Sequence, residues 1–389
     1  MHILPVTDAK SSKLFITVPL HIYKNDPNWI RPLDKDIIEV FDEKKNKAFR
    51  FGKISRWVLI DETHNPIGRI AAFLNSKYKN KGDEFPVGGI GFFECINSQD
   101  AADLLLDNAK HWLITHGMEG MDGPINFGER DRWWGMVTEG YHEPLYCMNY
   151  NLPYYKELFE TYGFKPFFYQ ICLGMNPKKP LQEKIWARHD VIAADKHFSA
   201  AHIRKDQLEK FASDFTIVYN QAWAGHGGLK QLSKEQVVIM FKKMKPVMDT
   251  RIIWFAYHGN DPIAIFINLP DLNQWFKYLN GKFGLLQKLY FLWVKQFRKN
   301  KKFTGLVFGV VPQWQGKGID SYIIGEAAKI IQSEKVPYTE YEMQWIGDFN
   351  PKMLNIAEGL GEVFNTRTLT TYRYIFDRSK TFKRHPILT

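Results

Sequence analysis

The chain has 389 residues, more than one hydrophobic core usually serves, so two domains are expected. With 45% hydrophobic and 24% charged residues it excludes extensive disorder, and its net charge of +10 suits phosphate-bearing ligands, nucleic acid or an anionic membrane without choosing among them. Three scattered cysteines, Cys95, Cys147 and Cys172, exclude a disulfide framework, and no segment resembles a secretory leader or approaches the ~18 apolar residues of a membrane span.

In the first half, Ser55 to Asp61 and Ile67 to Asn75 are predicted strands joined by the polar turn from Glu62 to Pro66. Gly88 to Ile96 is a third strand. Ser98 then stands where it can cap a helix running to about His116, with Leu104, Leu105, Ala109 and Trp112 at helical spacing. A short strand near Gly123 to Phe127, a long aromatic-rich loop, a helix from about Pro153 to Tyr162 stopped by Gly163, and a closing strand from Phe167 to Leu173 follow. The breaker run Asn176-Pro177-Lys178-Lys179-Pro180 sets the expected division: one domain over 1–176, a linker over 177–195 and a second domain over 196–389.

The second half repeats the plan. Helices near Lys205 to Trp223 and Ser233 to Lys245 precede a hairpin of Arg251 to His258 and Ile263 to Leu269. Phe303 to Val311 is the main strand, followed by a glycine loop, a helix from about Gly318 to Gln332, and a strand from Tyr338 to Trp345. A helix from Pro351 and a strand from Leu369 to Phe376 end the chain. Residues 271–302 form an insertion where a minimal domain of this plan has a short turn. There, aromatic and leucine side chains alternate with lysines, as suits a helix in the interface of an anionic membrane, a lid over an acyl chain, or a core or oligomer face with solvated lysines. Nucleic acid is disfavoured, since no recognition-helix, RNP or finger pattern accompanies the charge.

The loop Gln313-Trp314-Gln315-Gly316-Lys317-Gly318 lies between a strand and a helix, where unpaired N–H groups and the positive end of the helix dipole suit a pyrophosphate. A Walker loop fails on spacing, because Gly309 lies seven residues before Gly316. A dinucleotide fingerprint fails at Ser321, where its third glycine is required. The pattern Gln-x-x-Gly-x-Gly resembles the acyl-CoA pyrophosphate loop of the GNAT superfamily, matched at Gln313, Gly316 and Gly318. The resemblance implies that Phe308, Val310 and Val311 pair with pantetheine, that Gln315, Lys317 and Ile319 complete the phosphate site, that the strand after the helix splays away, and that Asn350 belongs to the final motif. The superfamily's thiolate-protonating tyrosine would fall at Ala357, a departure.

Segments such as Tyr23-Lys24-Asn25-Asp26-Pro27-Asn28-Trp29, Gly123-Pro124-Ile125-Asn126-Phe127 and Tyr219-Asn220-Gln221-Ala222-Trp223 are similar to the bacterial ceramide-synthase-like family. That resemblance spans nearly the whole chain. It implies an α+β (mixed α/β) fold of two tandem GNAT-like domains, each a mostly antiparallel sheet with one splayed strand pair flanked by helices. It also implies acyl transfer from acyl-CoA or acetyl-CoA to a primary amine, in one branch a sphingoid base. The first domain lacks the glycine loop and would wall the acceptor cleft through Asn126, Tyr154 and Tyr155. The alternatives are a short-chain acetyltransferase for a small polar amine, or a non-catalytic acyl-CoA or nucleic-acid binder.

Amine acylation needs a proton acceptor. Glu340 and Glu342 alternate along one strand, so a shared cluster would raise one pKa by like-charge repulsion; the alternative is a solvated or ion-paired face. Tyr372 and Tyr374 are candidate donors to the leaving thiolate, or core residues. Asn220 and Trp223, one helical turn apart, are candidates for the acceptor side, or a cap and a core residue. His226 sits in a glycine-rich stretch and is a candidate base near neutral pH. No metal is expected, since His111 and His116 have no ligand partners at zinc spacing. A cytoplasmic setting, with peripheral contact at the inner membrane face, is the expected location.

Overall fold

A computed structural model describes residues 1–223 and 231–388. The first half runs β1 (His2–Pro5), α1 (Ala9–Ile22), α2 (Asp34–Val40), β2 (Gly52–Ile60), β3 (Pro66–Asn75), β4 (Val87–Cys95), α3 (Gln99–Thr115), β5 (Gly120–Gly123), β6 (Met136–Glu139), α4 (Tyr155–Tyr162) and β7 (Lys165–Met175). The second runs α5 (Glu183–Ala193), β8 (Phe198–His202), α6 (Leu208–Ala222), α7 (Lys234–Met244), β9 (Ile253–His258), β10 (Asp261–Pro270), α8 (Asn273–Phe276) and α9 (Leu285–Phe297). It continues through β11 (Lys302–Val310), α10 (Ile319–Ile331), β12 (Glu340–Met343), β13 (Ile346–Gly347), α11 (Pro351–Glu358) and β14 (Phe364–Ile375).

Local chemistry sets many of these limits. The Asp61 carboxylate accepts the N–H groups of Thr63 and Asn65, each at 2.8 Å, closing the β2–β3 turn. Ser98 caps α3 through the Ala101 N–H at 3.3 Å, and Ser233 with Gln236 forms a reciprocal capping box on α7. Gly163, at φ 109°, ends α4 in the left-handed region that a side chain would resist.

One sheet runs through the molecule in the order β1-β2-β3-β4-β5-β14-β7-β12-β11-β10-β9-β8. Two neighbouring pairs on this path are parallel, β4–β5 and β11–β12, one in each half, and each is joined by a crossover helix, α3 or α10. The centre holds an exchange. The last strand of the chain, β14, lies between β5 and β7 of the first half, while β7 pairs on its other edge with β12 of the second. Each half therefore completes its sheet with the other's final strand.

The expected linker, 177–195, contains α5. This helix is fastened to α10 by His189, whose ring stacks on Tyr322 with centroids 5.6 Å apart and whose Nε2 lies 2.9 Å from Glu326. Separate apolar clusters fill the two halves, one around Leu59, Leu105 and Phe159 and one around Phe255, Ile265 and Ile323.

Candidate functional site

β11 pairs with β12 only from Lys302 to Gly305, and the Gln344 N–H to the Gly305 carbonyl, at 3.1 Å, lies just beyond that ladder. Past this point β11 stays on β10 while the other strand bends toward β7, where Ile346 pairs with Ile171. A bulge at Leu306, where the β10 register shifts, marks the parting. Because the Val311 N–H bonds to Ile263 on the β10 side, alternation turns Phe308 and Val310 toward the gap. Their carbonyls are held there by side chains. Trp223 Nε1 donates to Phe308 at 3.2 Å, and Gln315 Nε2 donates to Val310 at 2.9 Å.

The strand then enters the loop. Val311 and Ile319 are buried anchors, whereas Gln313, Gln315, Gly316 and Lys317 are exposed. Trp314 fixes the turn by packing on Phe198 and His258, with centroids 5.3 and 4.9 Å away, and Lys317 Nζ lies 5.1 Å from its ring centre. Gly316 and Gly318 have φ of 73° and 88°, and nothing lies within 4 Å of where a Gly316 Cβ would be. Backbone conformation, not crowding, calls for glycine there. Gly318 is the N-cap of α10 and supplies no side-chain acceptor, so the helix presents its first N–H groups at the loop.

The two glutamates do not form a like-charge cluster. Glu340 is exposed, whereas Glu342 is buried and accepts from Arg367 Nε at 2.7 Å and Thr366 Oγ1 at 3.0 Å, with Lys302 as a second cation. Burial pushes the Glu342 pKa up, but Arg367 and then Lys302 outweigh it and hold the carboxyl below its usual value. The expected upward shift is therefore reversed: Glu342 is a satisfied ion pair. Arg367 continues the network to the Glu143 carbonyl at 2.8 Å and to His142 Nε2 at 3.3 Å.

Other expected site residues are also engaged elsewhere. Tyr372 is buried in the first half's core and donates to Glu160 Oε1 at 2.9 Å, because β14 has crossed into that sheet. Tyr155 lies in the same core and donates to Glu94 Oε2 at 2.9 Å, and Tyr154 donates to the Cys95 carbonyl at 2.7 Å; neither hydroxyl faces a cleft between the halves. Asn350 caps α11 through the Met353 N–H at 3.3 Å. Asn220 pins Leu232 by two hydrogen bonds of 2.9 Å, while Trp223 lies on the splayed strand itself. His226 falls outside the described residues. Among the described residues there is no group of three or more His, Cys, Asp or Glu arranged to hold a metal ion.

Of three groups not singled out in the sequence, Tyr341 stands at the gap, while Trp345 and the loop after Asn126 lie toward the first half. Tyr341, stacked on Phe303, reaches diagonally across so that a Cβ at Gly305 would collide with its hydroxyl, placing the phenol where the strands part. Burial pushes its pKa up. Trp345, half-buried just past the parting, packs on the first half's aromatic cluster of Phe127, Trp133, Trp134 and Phe168. The loop after Asn126 carries Glu129 and Asp131. Burial, and then the Asp131 charge, raise the pKa of the Tyr219 phenol, one helical turn before Trp223. The Glu129 side chain is 71% exposed and pairs with Arg132 Nε at 3.3 Å; the protein around it and then the Asp131 charge push its pKa up, against the pull of Arg132. The run Glu129-Arg130-Asp131-Arg132 inside an aromatic loop was the available signal.

A parallel strand pair that parts at a bulge and opens onto a glycine turn at a helix start, with the parallel pair and its crossover helix but not the glycine turn repeated in the first half, defines a tandem GNAT-like fold. No family model matches the chain. It is similar to the bacterial ceramide synthase of Caulobacter vibrioides, 21% identical over 366 residues, covering 93% of this chain and 94% of that protein. It is also similar to protein YghO of Escherichia coli, 24% identical over 365 residues, covering 90% and 89%. Among solved structures, a GCN5-related glucosamine N-acetyltransferase region of a fungal multi-domain β-N-acetylglucosaminidase superposes with a TM-score of 0.51 at 12% identity. That match takes in 96% of this chain but only 38% of the fungal chain.

Proposed function

We propose that the protein is an acyl-CoA-dependent N-acyltransferase, with a long-chain acyl donor and an amine acceptor of apolar body such as a sphingoid base. The observation that carries this reading is the gap between β11 and β12 leading to the positive-φ glycines at the start of α10. The pyrophosphate would rest on the N–H groups of Gly316 to Ile319 with Lys317 as counter-charge, and pantetheine would run along Phe308 to Val311. The acceptor would enter from the first half, past Asn126 and Trp345.

In the reaction the free amine attacks the thioester carbon, a C–N bond forms, the C–S bond breaks and the nitrogen gives up a proton. Glu129 is assigned as the proton acceptor, because it stands exposed on the loop that Asn126 holds through the Glu129 carbonyl at 3.3 Å, and its pKa is shifted up toward the working pH. Tyr341 is assigned as hydrogen-bond donor to the departing sulfur, since burial keeps its phenol protonated and Ala357 offers no donor. Glu342 acts as scaffold. The aromatic wall around Trp345 supports an apolar acceptor, and so does the similarity to a ceramide synthase.

The test is incubation with palmitoyl-CoA or acetyl-CoA and either sphinganine or a small polar amine, following thiol release and the amide by mass spectrometry. Turnover of palmitoyl-CoA with sphinganine is expected. Turnover only of acetyl-CoA with the polar amine replaces this reading by a short-chain one. Binding of a CoA ester with no turnover supports a non-catalytic module, the reading that Ala357 favours, and no binding at all defeats the site.

A further inference from the structure

Helix α9, at the centre of the insertion, has two apolar sides. Phe291 and Val294 point inward and pack with Leu33, Trp275, Phe276 and Leu279 in a small core of their own. The opposite side carries Leu285, Leu286, Leu289, Leu292, Trp293 and Phe297, whose relative exposures run from 50% to 76%. Positions 285, 289, 292, 293 and 297 fall on one face at helical spacing, so they form one stripe along about 20 Å of helix. The inner side already satisfies the fold, and the outer stripe is apolar area left facing water.

Charge chooses the occupant. From Leu272 to Ile319 the chain contains no Asp or Glu and nine Lys or Arg. Lys282 and Lys288 beside the stripe, and Arg298, Lys299 and Lys301 after it, are exposed. Two copies meeting by this face would bring these cations together, whereas an anionic bilayer takes both the apolar stripe and its basic rim. No described helix is long and apolar enough to cross a membrane, which fits a helix lying in the interface. We infer that α9 is a docking face for an anionic lipid surface.

The inner side of the insertion ties this face to the candidate site. Asp271, Asn273 and Lys277 bind the segment from Glu143 to Tyr146, and Arg367 holds the Glu143 carbonyl. A bilayer on α9 would thus lie at a fixed orientation to the cleft. This surface does not depend on the acyl-transfer reading, and vesicle binding is measured without any CoA ester.

The full chain is sedimented at low salt with vesicles of phosphatidylcholine, with or without roughly a third phosphatidylglycerol. The wild type is expected to bind the anionic vesicles at least ~10-fold better than the neutral ones, and to be released by high salt. L289E/W293E should lose at least ~10-fold in binding with its thermal midpoint retained. If that variant misfolds, L285S/L286S, at the two most exposed leucines of this outer side, gives the same readout. Wild type left in the supernatant, or binding indifferent to both variants, overturns the inference. So does a stable dimer dissolved by these substitutions without vesicle binding, which would assign the face to a second copy.

Discussion

One carboxylate held between two cations makes Glu342 the clearest case at the residue scale. Removing it leaves the fully buried Arg367 uncompensated, so E342Q should cost about 3–5 kcal/mol of stability at neutral pH, read by chemical denaturation. The pH dependence has a definite sign. A carboxyl whose folded pKa is depressed contributes stability above its unfolded value, about 4.3, and loses it as pH falls through the lower folded value. E342Q should therefore show a flatter acid limb than the wild type. Glu129 shifts the other way, and as the proposed base it must be ionised to act. E129Q should lower kcat by ~10²- to 10⁴-fold with acyl-CoA affinity unchanged, and the wild-type rate should fall with acid at a midpoint above the ordinary carboxylate range. An unchanged kcat in E129Q would place the base elsewhere. At Gly316 the backbone decides: a valine at φ 73° adds ~1–2 kcal/mol of strain or moves the loop, so G316V should weaken acetyl-CoA binding by at least ~10-fold in calorimetric titration.

At the scale of elements, the splayed β11 carries its own competitor. The Trp223 indole already holds the Phe308 carbonyl, and a Gly309 Cβ would lie 2.9 Å from that indole nitrogen. If pantetheine needs the same carbonyl, W223F should tighten CoA-ester binding by roughly 3- to 10-fold, the worth of one ordinary hydrogen bond. Weaker binding would show instead that the N–H positions the strand. This strand–loop–helix unit was legible because glycine spacing and apolar periodicity are local signals. What surrounds it was not. Tyr372, Tyr154 and Tyr155 carry the same aromatic alternation whether they line a cleft or a core, and only the crossing of β14 decides between these. The partners of Glu342 come from Lys302 and Arg367, one on the parallel neighbour and one on the exchanged strand, so its neutralisation is a tertiary fact. Helix α5 was hidden because Asn176 to Pro180 break the pattern just before it, and only Ile185 and His189 of its residues are buried.

The exchange of β7 and β14 makes the whole molecule one folding problem. Without β14, a fragment of residues 1–176 would leave β5 and β7 with no strand between them, and the first core would lose Tyr372 and Tyr374. Asp122, fully buried, would also lose Arg373, which binds it at 2.6 and 2.8 Å, and an uncompensated buried charge is strongly destabilising. The second half is dependent in turn, since β7 is the neighbour of β12 and β13. A division near residue 176 would therefore separate two halves of one sheet in sequence but not two units of stability. The fragment 1–176 is expected to be disordered by circular dichroism and to fold when co-expressed with 177–389. In the full chain, hydrogen exchange in β2–β4 and in β9–β11 should lose protection at the same urea concentration. Two separate transitions, or a folded isolated fragment, would show that each half can close its own sheet. The shared strands would then not be what fixes Trp223 on the splayed strand and Tyr341 at its parting, the geometry on which the proposed transfer depends.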